Sequence, residues 1–203
     1  GLLSTSIGIF CAWVIACCEF PLKKFFEWAL ILPLAIPTYV SAYAYFDILE
    51  LSNPILIWVR ENINLEAMQS LNSFFVYFFT ILVLSSVLYP YVYLLTRASF
   101  LKQGNQLIEA GLSLRHNINE IFWKIALPMA RPAVFAGLSL VIMETLNDYG
   151  AVKHFGIPTF TSGIFRTWLG MGDMSGALKL AAYLMLLILI LLLIEKKARS
   201  GAR

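Results

Sequence analysis

Long apolar runs separated by short polar segments dominate the pattern of hydrophobic and polar positions. A helix needs about 20 apolar residues to cross a hydrocarbon core of ~30 Å, because each residue adds ~1.5 Å. Four runs have about this length, three with no charged residue and the last with one, Lys179, near its start, so each predicts a membrane-spanning helix. They are residues 1–18, 28–46, 67–96 (of which roughly 73–95 should span) and 177–194.

A fifth passage is less obvious in the pattern. Its charge-free core is only Pro132–Met143, bounded by Arg131 and Glu144, and these residues cover roughly 18 Å, which is too short to cross. A helix from Ile125 to Asp148 supplies the missing length. The pattern therefore predicts an all-α membrane protein, a polytopic bundle of about five helices forming one domain over 1–203.

Proline positions predict irregular helices within this bundle. Pro33 and Pro37 lie in the second run and Pro90 lies in the third. Proline lacks a backbone N–H and its ring collides with the preceding turn, so we expect these helices to bend or break there. Packing kinks explain such prolines without any functional role.

Composition supports the membrane class. The chain is 60% hydrophobic and only 13% charged, with a mean hydropathy of +0.77; a soluble domain needs more charge to cover its surface. A net charge of +3 without a basic stripe gives no support for nucleic-acid binding. Cys11, Cys17 and Cys18 lie together in the first run, where thiols act as small hydrophobic groups.

The basic residues are distributed unevenly between the two sides. With five passages, segments 18–27, 96–131 and 195–203 share one side and carry 11 of the 15 basic residues. The positive-inside rule makes this side cytoplasmic. We therefore predict a multi-pass inner-membrane protein whose 97–128 loop and C-terminal end are cytoplasmic, with 149–176 as an external loop. The four basic residues on the other side are Arg60, Lys153, Arg166 and Lys179.

The chain begins at Gly1 inside an apolar run and has no initiator methionine. The run lacks the charged start and small-residue cleavage site of a signal peptide. We expect a fragment of a longer protein whose first run is a truncated membrane helix.

Two acidic residues stand where charge is costly. Counted from Arg131 at the inner surface, Glu144 lies ~20 Å along the helix, within the hydrocarbon core. A carboxylate there costs about 2.5–3.5 kcal/mol unless it faces an interior or a water-filled path. Asp148 is four residues later and is predicted to share its helix face. With Tyr149 they would offer oxygen donors to a small cation. Placement in the outer headgroup region, or capping of the loop, is the open alternative.

Residues 109–128, EAGLSLRHNINEIFWKIALP, form a polar segment with Glu-Ala at its start and Ile-x-Leu-Pro at its end. This spacing resembles the EAA loop of bacterial ABC importer permeases of the type I fold. Gly111 replaces a family Ala, and Arg115 stands where the family has Gly. Arginine adopts φ > 0 poorly, and we expect Asn117 to take that conformation instead.

The resemblance implies that this coupling loop docks on a cytoplasmic ATPase dimer. An amphipathic helix lying on the inner leaflet is the alternative. The chain has no G-x-x-x-x-G-K-[ST] motif, so we expect it to be no enzyme and to bind no cofactor, with ATP and magnesium used by the ATPase. The implied coupling residues are Glu109, Ala110, Gly111, Leu112, Leu114, Arg115, Ile125, Leu127 and Pro128.

The segments METLNDYG (143–150) and FGIPTFTSGIFRTW (155–168) resemble the ferric-iron branch of these permeases. This resemblance implies ferric ion as the transported substrate, a periplasmic ferric-ion-binding protein as donor, and a second permease half. Permeases for thiamine, sulfate, polyamine or phosphonate share the loop and remain alternatives. An ion-coupled secondary transporter is a further alternative, because buried acids also relay protons.

Overall fold

The computed structural model describes residues 1–50, 53–62, 64–113 and 117–200, and leaves undescribed the side chains of 46–50, 53, 59, 60, 62, 104–113 and 198–200. Every regular element in these ranges is helical, which confirms the all-α prediction. The α-helices are α1 (Leu2–Cys17), α2 (Lys23–Ala29), α3 (Thr38–Glu50), α4 (Asn53–Asn62), α5 (Leu65–Ser113), α6 (Ile118–Ile121), α7 (Leu127–Asn147), α8 (Gly150–His154), α9 (Phe160–Phe165) and α10 (Met174–Ser200).

Three helical stretches are long and apolar enough to cross a membrane: Leu65–Gln103, Ile118–Asn147 and Met174–Lys197. They contain the third and fifth predicted passages, and the fourth except for its last residue, Asp148. The first passage is the 16-residue helix α1, which covers only ~24 Å. By length and composition, the described residues thus give three crossings, or four if one bent pair counts as a crossing. The prediction was five.

The second predicted passage is that bent pair. A 3₁₀ turn at Leu32–Ala35 follows α2, and α3 begins only at Thr38. The expected break at Pro33 and Pro37 is therefore present, since a proline supplies no donor to continue the ladder. Helix α5, in contrast, continues through Pro90 without a break, so only a bend remains of the expectation at this position.

Contacts divide the chain into two compact units. The first unit comprises 1–35, 88–144 and 186–203, and the second comprises 36–87 and 145–185. In the first unit α1 and α7 pack against α5 around a buried cluster that joins Ala12, Ile15, Tyr89, Tyr93, Phe100, Ala126 and Ala130.

Close helix packing in the first unit depends on glycine. A Cβ atom on Gly8 of α1 would lie 2.7 Å from Cβ of Val92, and one on Gly137 of α7 would lie 2.7 Å from Cα of Val92. Small residues let backbones approach in this way, because lipid gives helices no hydrophobic reason to associate. Val92 of α5 is fully buried between these two contacts.

The second unit is organised around α3 and α8. Tyr43 stacks on His154 with ring centroids 4.2 Å apart, and Gly150 lies against Tyr39 so closely that a Cβ would be 2.7 Å from the tyrosine Cβ. The hydroxyl of Thr161 donates to the carbonyl of Asp148 at 2.9 Å and ties α9 to the start of α8. The predicted external loop 149–176 is therefore largely helical.

Candidate functional site

The first arm of the predicted coupling loop is the end of α5. Because α5 continues to Ser113, residues Glu109, Ala110, Gly111 and Leu112 have helical backbone, and their side chains are not described. Leu114 and Arg115 lie outside the described residues. The first arm is therefore a continuation of a membrane helix rather than a separate loop.

The second arm begins at Asn117, and here one prediction was wrong. Asn117 has φ −72° and ψ 155°, an extended conformation that caps α6, and not the positive φ expected of it. Its backbone N–H donates to the Glu120 carboxylate at 3.2 Å, which satisfies one of the free donors at a helix start. Glu120 also pairs with Lys124 at 2.9 Å.

A π-helical turn at Phe122–Ala126 connects α6 to α7. The N–H of Leu127 donates to the carbonyl of Phe122, five residues back. A regular turn would push the ring of Pro128 into the carbonyl of Lys124, so the wider turn relieves that collision. The Ile-x-Leu-Pro end of the motif, with Ile125 and Leu127 half-buried, thus lies where the coupling segment enters the membrane helix.

Aromatic contacts fix the second arm to the first unit. The ring of Trp13 in α1 lies 4.9 Å from that of Phe122 and 5.4 Å from that of Phe100 in α5. The side-chain amide of Gln103 donates to the carbonyl of Ala126 at 3.4 Å and joins the two arms. The second arm is therefore in contact with α1 and α5, in addition to leading into α7.

The second arm has apolar side chains on an inward and on an outward face. Ile121 is buried and Phe122 packs inward, whereas Ile118 and Trp123 are exposed, Trp123 by 66%. The sequence analysis did not single out Trp123, because Trp123 lies on the opposite side of the helix turn from Ile121 and Ile125. The signal for it in the sequence was a large aromatic side chain next to the basic residue Lys124.

An ion pair connects α2 to α5 just before the coupling segment. Arg97 Nη2 lies 3.1 Å from Glu27 Oε1, and the Tyr93 hydroxyl donates to the Glu27 carbonyl at 3.4 Å. Both charged side chains are about one-quarter exposed, so water screens the pair only in part. This ion pair therefore holds the polar segment before the second predicted passage against α5. Helix α5 then continues into the coupling segment.

Glu144 lies in the last turn of α7, within the first unit, and is exposed. Leu140, one turn earlier, is exposed on the same face. Among the residues that the structure describes, the Glu144 carboxylate has no hydrogen bond or ion pair. It is therefore available to a ligand, a partner chain or water.

Asp148 and Tyr149 differ from the prediction. Helix α7 ends at Asn147, so Asp148 does not share a helix face with Glu144. Its buried carboxylate accepts the N–H of Ala151 at 2.9 Å, which is the capping alternative. Tyr149 stacks on Phe165, with ring centroids 4.2 Å apart. The shared helix face was therefore the wrong expectation for Asp148, and these two side chains contribute to holding α8 and α9 in place.

The described residues contain no group of three or more His, Cys, Asp or Glu side chains that could hold a metal ion. One available carboxylate on α7, and a helical coupling segment anchored at its base, are the features that remain.

Comparison with known protein families shows which family the chain belongs to. Residues 4–195 match the model of the binding-protein-dependent transport system inner membrane component. The chain belongs to this family. The resemblance to ABC importer permeases is thereby confirmed, and the apolar helices of this permease are those of a multi-pass inner-membrane protein.

Relatives of the permease carry different substrates. It is 28% identical over 92% of its length to the Fe(3+)-transport system permease protein FbpB 2 of Haemophilus influenzae. It is 27% identical over 96% of its length to the molybdenum transport system permease protein ModB of Escherichia coli. It is 26% identical over 74% of its length to a probable sulfate transport system permease protein cysT of Nephroselmis olivacea.

The permease covers 32% of the iron-transport relative, 51% of the sulfate relative and 85% of the molybdenum relative. The family therefore establishes a transport component. Which substrate it carries requires a separate argument.

Proposed function

We propose that this permease carries ferric iron across the bacterial inner membrane, driven by a separate cytoplasmic ATPase dimer. The observation that carries the proposal is the alignment with the Fe(3+)-transport permease over 92% of the chain. The aligned region includes residues 143–168, the segment that resembles the ferric-iron branch. A periplasmic ferric-ion-binding protein would deliver the ion, and a second permease half would complete the path.

Glu144 is the residue we propose for that path. A carboxylate within an apolar helix is tolerated where it faces a water-filled path or another chain, and Glu144 is exposed in this chain. Hard oxygen donors suit highly charged cations and repel anions. A single carboxylate could attract ferric ion without holding it, as a transport path requires.

Sulfate and molybdate are the main alternative substrates, because relatives named for sulfate and for molybdenum match most of the chain. An anionic substrate would be repelled by Glu144. The sign of the charge effect at this position therefore separates a cation path from an oxyanion path.

Coupling to ATP hydrolysis is proposed for the segment from the end of α5 to the π turn, on the cytoplasmic side. Exposed Ile118 and Trp123 would insert into a groove of the ATPase, and Glu109 would pair with a basic or amide group. Burial of one aromatic side chain contributes about 1.5–3 kcal/mol, which suits a contact that must persist while the ATPases close and open.

We expect cells that carry the permease with its ATPase and binding protein to accumulate radiolabelled ferric iron. Accumulation should fall to background on ATP depletion, because the gradient alone does not drive uptake in this mechanism. The measurement is uptake of ⁵⁵Fe with and without a metabolic inhibitor, with [³⁵S]sulfate and [⁹⁹Mo]molybdate as parallel substrates. ATP-dependent uptake of an oxyanion but not of iron would contradict the iron proposal and leave the permease class intact.

We expect Glu109→Lys and Trp123→Ala each to lower co-purification of the ATPase by about tenfold, since each would remove ~1.4 kcal/mol or more of contact free energy. Membrane insertion should remain normal. Trp168→Ala, which removes an exposed tryptophan from the 149–176 segment, is the matched control. Unchanged ATPase recovery in both coupling variants would exclude this segment as the dock.

A further inference from the structure

A pocket of about 510 Å³ opens in the second unit, outside both the coupling segment and the proposed path. Its walls come from α8, the turn at Gly156–Thr159, α9 and the π-helical turn Arg166–Gly170. The volume is that of a small-molecule site. Cationic and apolar side chains both line it, notably Lys153, Arg166, Ile157, Phe165 and Leu169.

The aromatic pair Tyr149 and Phe165 positions the two cations, Lys153 and Arg166, at the same pocket. Lys153 Nζ lies 5.1 Å from the ring centroid of Tyr149, and Tyr149 stacks on Phe165, the residue before Arg166. Both cations are exposed. Among the described ion pairs, none involves Lys153 or Arg166.

The two aliphatic hydroxyls of the pocket, on Thr159 and Ser162, have partners within the protein. Thr159 Oγ1 accepts the N–H of Ser162 at 3.3 Å, and Ser162 Oγ donates to the carbonyl of Thr159 at 3.0 Å. Asp148 and Asp173, the acids that flank the lining residues along the chain, accept the N–H groups of Ala151 and Gly176, each at 2.9 Å, and do not line the pocket. The pocket therefore has a net positive charge and attracts an anion.

An exposed apolar surface continues from the rim of the pocket. Trp168 is 45% exposed, Leu169 70% and Met171 68%, and Met174 and Leu178 extend this surface along the first turns of α10. Tryptophan at the start of a membrane helix is typical of the headgroup level. Basic side chains beside such a surface place their charge at the polar boundary while their stems cover apolar groups.

We propose that this pocket binds the phosphate headgroup of an anionic phospholipid, with the acyl chains lying along Leu169, Met171 and Leu178. Basic side chains near a membrane surface attract anionic lipid headgroups, and an adjoining apolar surface suits the acyl chains. Lys153 and Arg166 supply charge-assisted hydrogen bonds to the phosphate oxygens. The site is independent of which substrate the permease carries.

The test is a lipid titration of the full-length permease, purified with its ATPase in detergent and measured by native mass spectrometry. Dioleoyl phosphatidylglycerol is the probe, and dioleoyl phosphatidylcholine is the comparison lipid. Lys153→Gln with Arg166→Gln should weaken phosphatidylglycerol binding by about tenfold or more, because both charge-assisted contacts are lost. Phosphatidylcholine binding should change little.

Two matched variants guard against loss of folding. Lys179→Gln removes an exposed cation of the same unit that does not line the pocket and should keep phosphatidylglycerol binding. Lys153→Arg with Arg166→Lys retains both charges and should restore most of it. An equal loss in Lys179→Gln, or no preference for phosphatidylglycerol in the unsubstituted protein, would overturn the proposal.

A third titration distinguishes the source of the phosphate. Inorganic phosphate, at up to ~10 mM, is added to the same protein once in lipid-free detergent and once with phosphatidylglycerol bound. This concentration would saturate a site with a Kd of ~1 mM or below. Phosphatidylglycerol binding that free phosphate does not displace supports the lipid headgroup. If free phosphate binds with the same dependence on Lys153 and Arg166 while phosphatidylglycerol does not bind, the lipid proposal is wrong.

Discussion

Replacing Gly137 with alanine is expected to lower the stability of the permease by about 1–3 kcal/mol, the typical cost of overpacking a close contact. The added Cβ would lie 2.7 Å from Cα of Val92, a backbone atom that no rotamer change can move. Either α7 must move away from α5, or the helix backbone must deform. Both changes would loosen the cluster to which the coupling segment is anchored, so transport should fall with stability.

Thermal unfolding of the purified permease in detergent, followed by circular dichroism, measures this effect. Gly163→Ala is the matched control: it changes a helical glycine in the same way, but its Cβ would be 3.8 Å from Leu180 Cδ1, an ordinary contact. We expect Gly163→Ala to unfold close to the unsubstituted protein. Equal unfolding temperatures for Gly137→Ala and Gly163→Ala would show that α7 and α5 do not pack as closely as described.

Substitutions of Glu144 and Asp148 are expected to separate transport from stability. Glu144→Gln should slow iron uptake by about tenfold or more, which corresponds to ~1.4 kcal/mol, and should leave stability nearly unchanged because its carboxylate is exposed. Asp148→Ala should cost about 0.5–2 kcal/mol of stability, because the buried cap on Ala151 is lost.

Asp148→Asn provides the sharper comparison, since an asparagine caps a helix about as well as an aspartate. We expect near-normal stability and near-normal uptake for this variant. The readouts are ⁵⁵Fe uptake normalised to permease in the membrane, and thermal unfolding of each purified variant. If Asp148→Asn impairs uptake as strongly as Glu144→Gln, the Asp148 carboxylate takes part in the path. Normal uptake in Glu144→Gln removes that residue from it.

The two acids show how far the sequence leads and where it stops. Hydropathy placed Glu144 within an apolar helix, and the structure agrees. The spacing of four residues also predicted a shared helix face for Asp148, which holds only while the helix continues. Helix α7 ends at Asn147, and the cap that Asp148 provides belongs to the following turn. Spacing along the chain therefore could not distinguish a ligand from a cap.

The coupling segment gives a second example. The Glu-Ala and Ile-x-Leu-Pro ends of the motif identified it, and the family match supports that identification. Which apolar side chains remain exposed depends on what packs against the segment. Trp13 of α1 contacts Phe122, whereas Trp123, on the other side of the same turn, is 66% exposed.

By itself, the sequence determined the class of this protein: apolar runs of membrane length, and a motif that marks a permease. These features are local, since each depends on composition and spacing within one segment. The tertiary structure decided which groups are free to act, because burial and hydrogen bonding depend on neighbours distant in the chain. Trp13 turns Phe122 inward, Val92 is held between Gly8 and Gly137, and the Tyr149–Phe165 pair gathers Lys153 and Arg166 at one pocket.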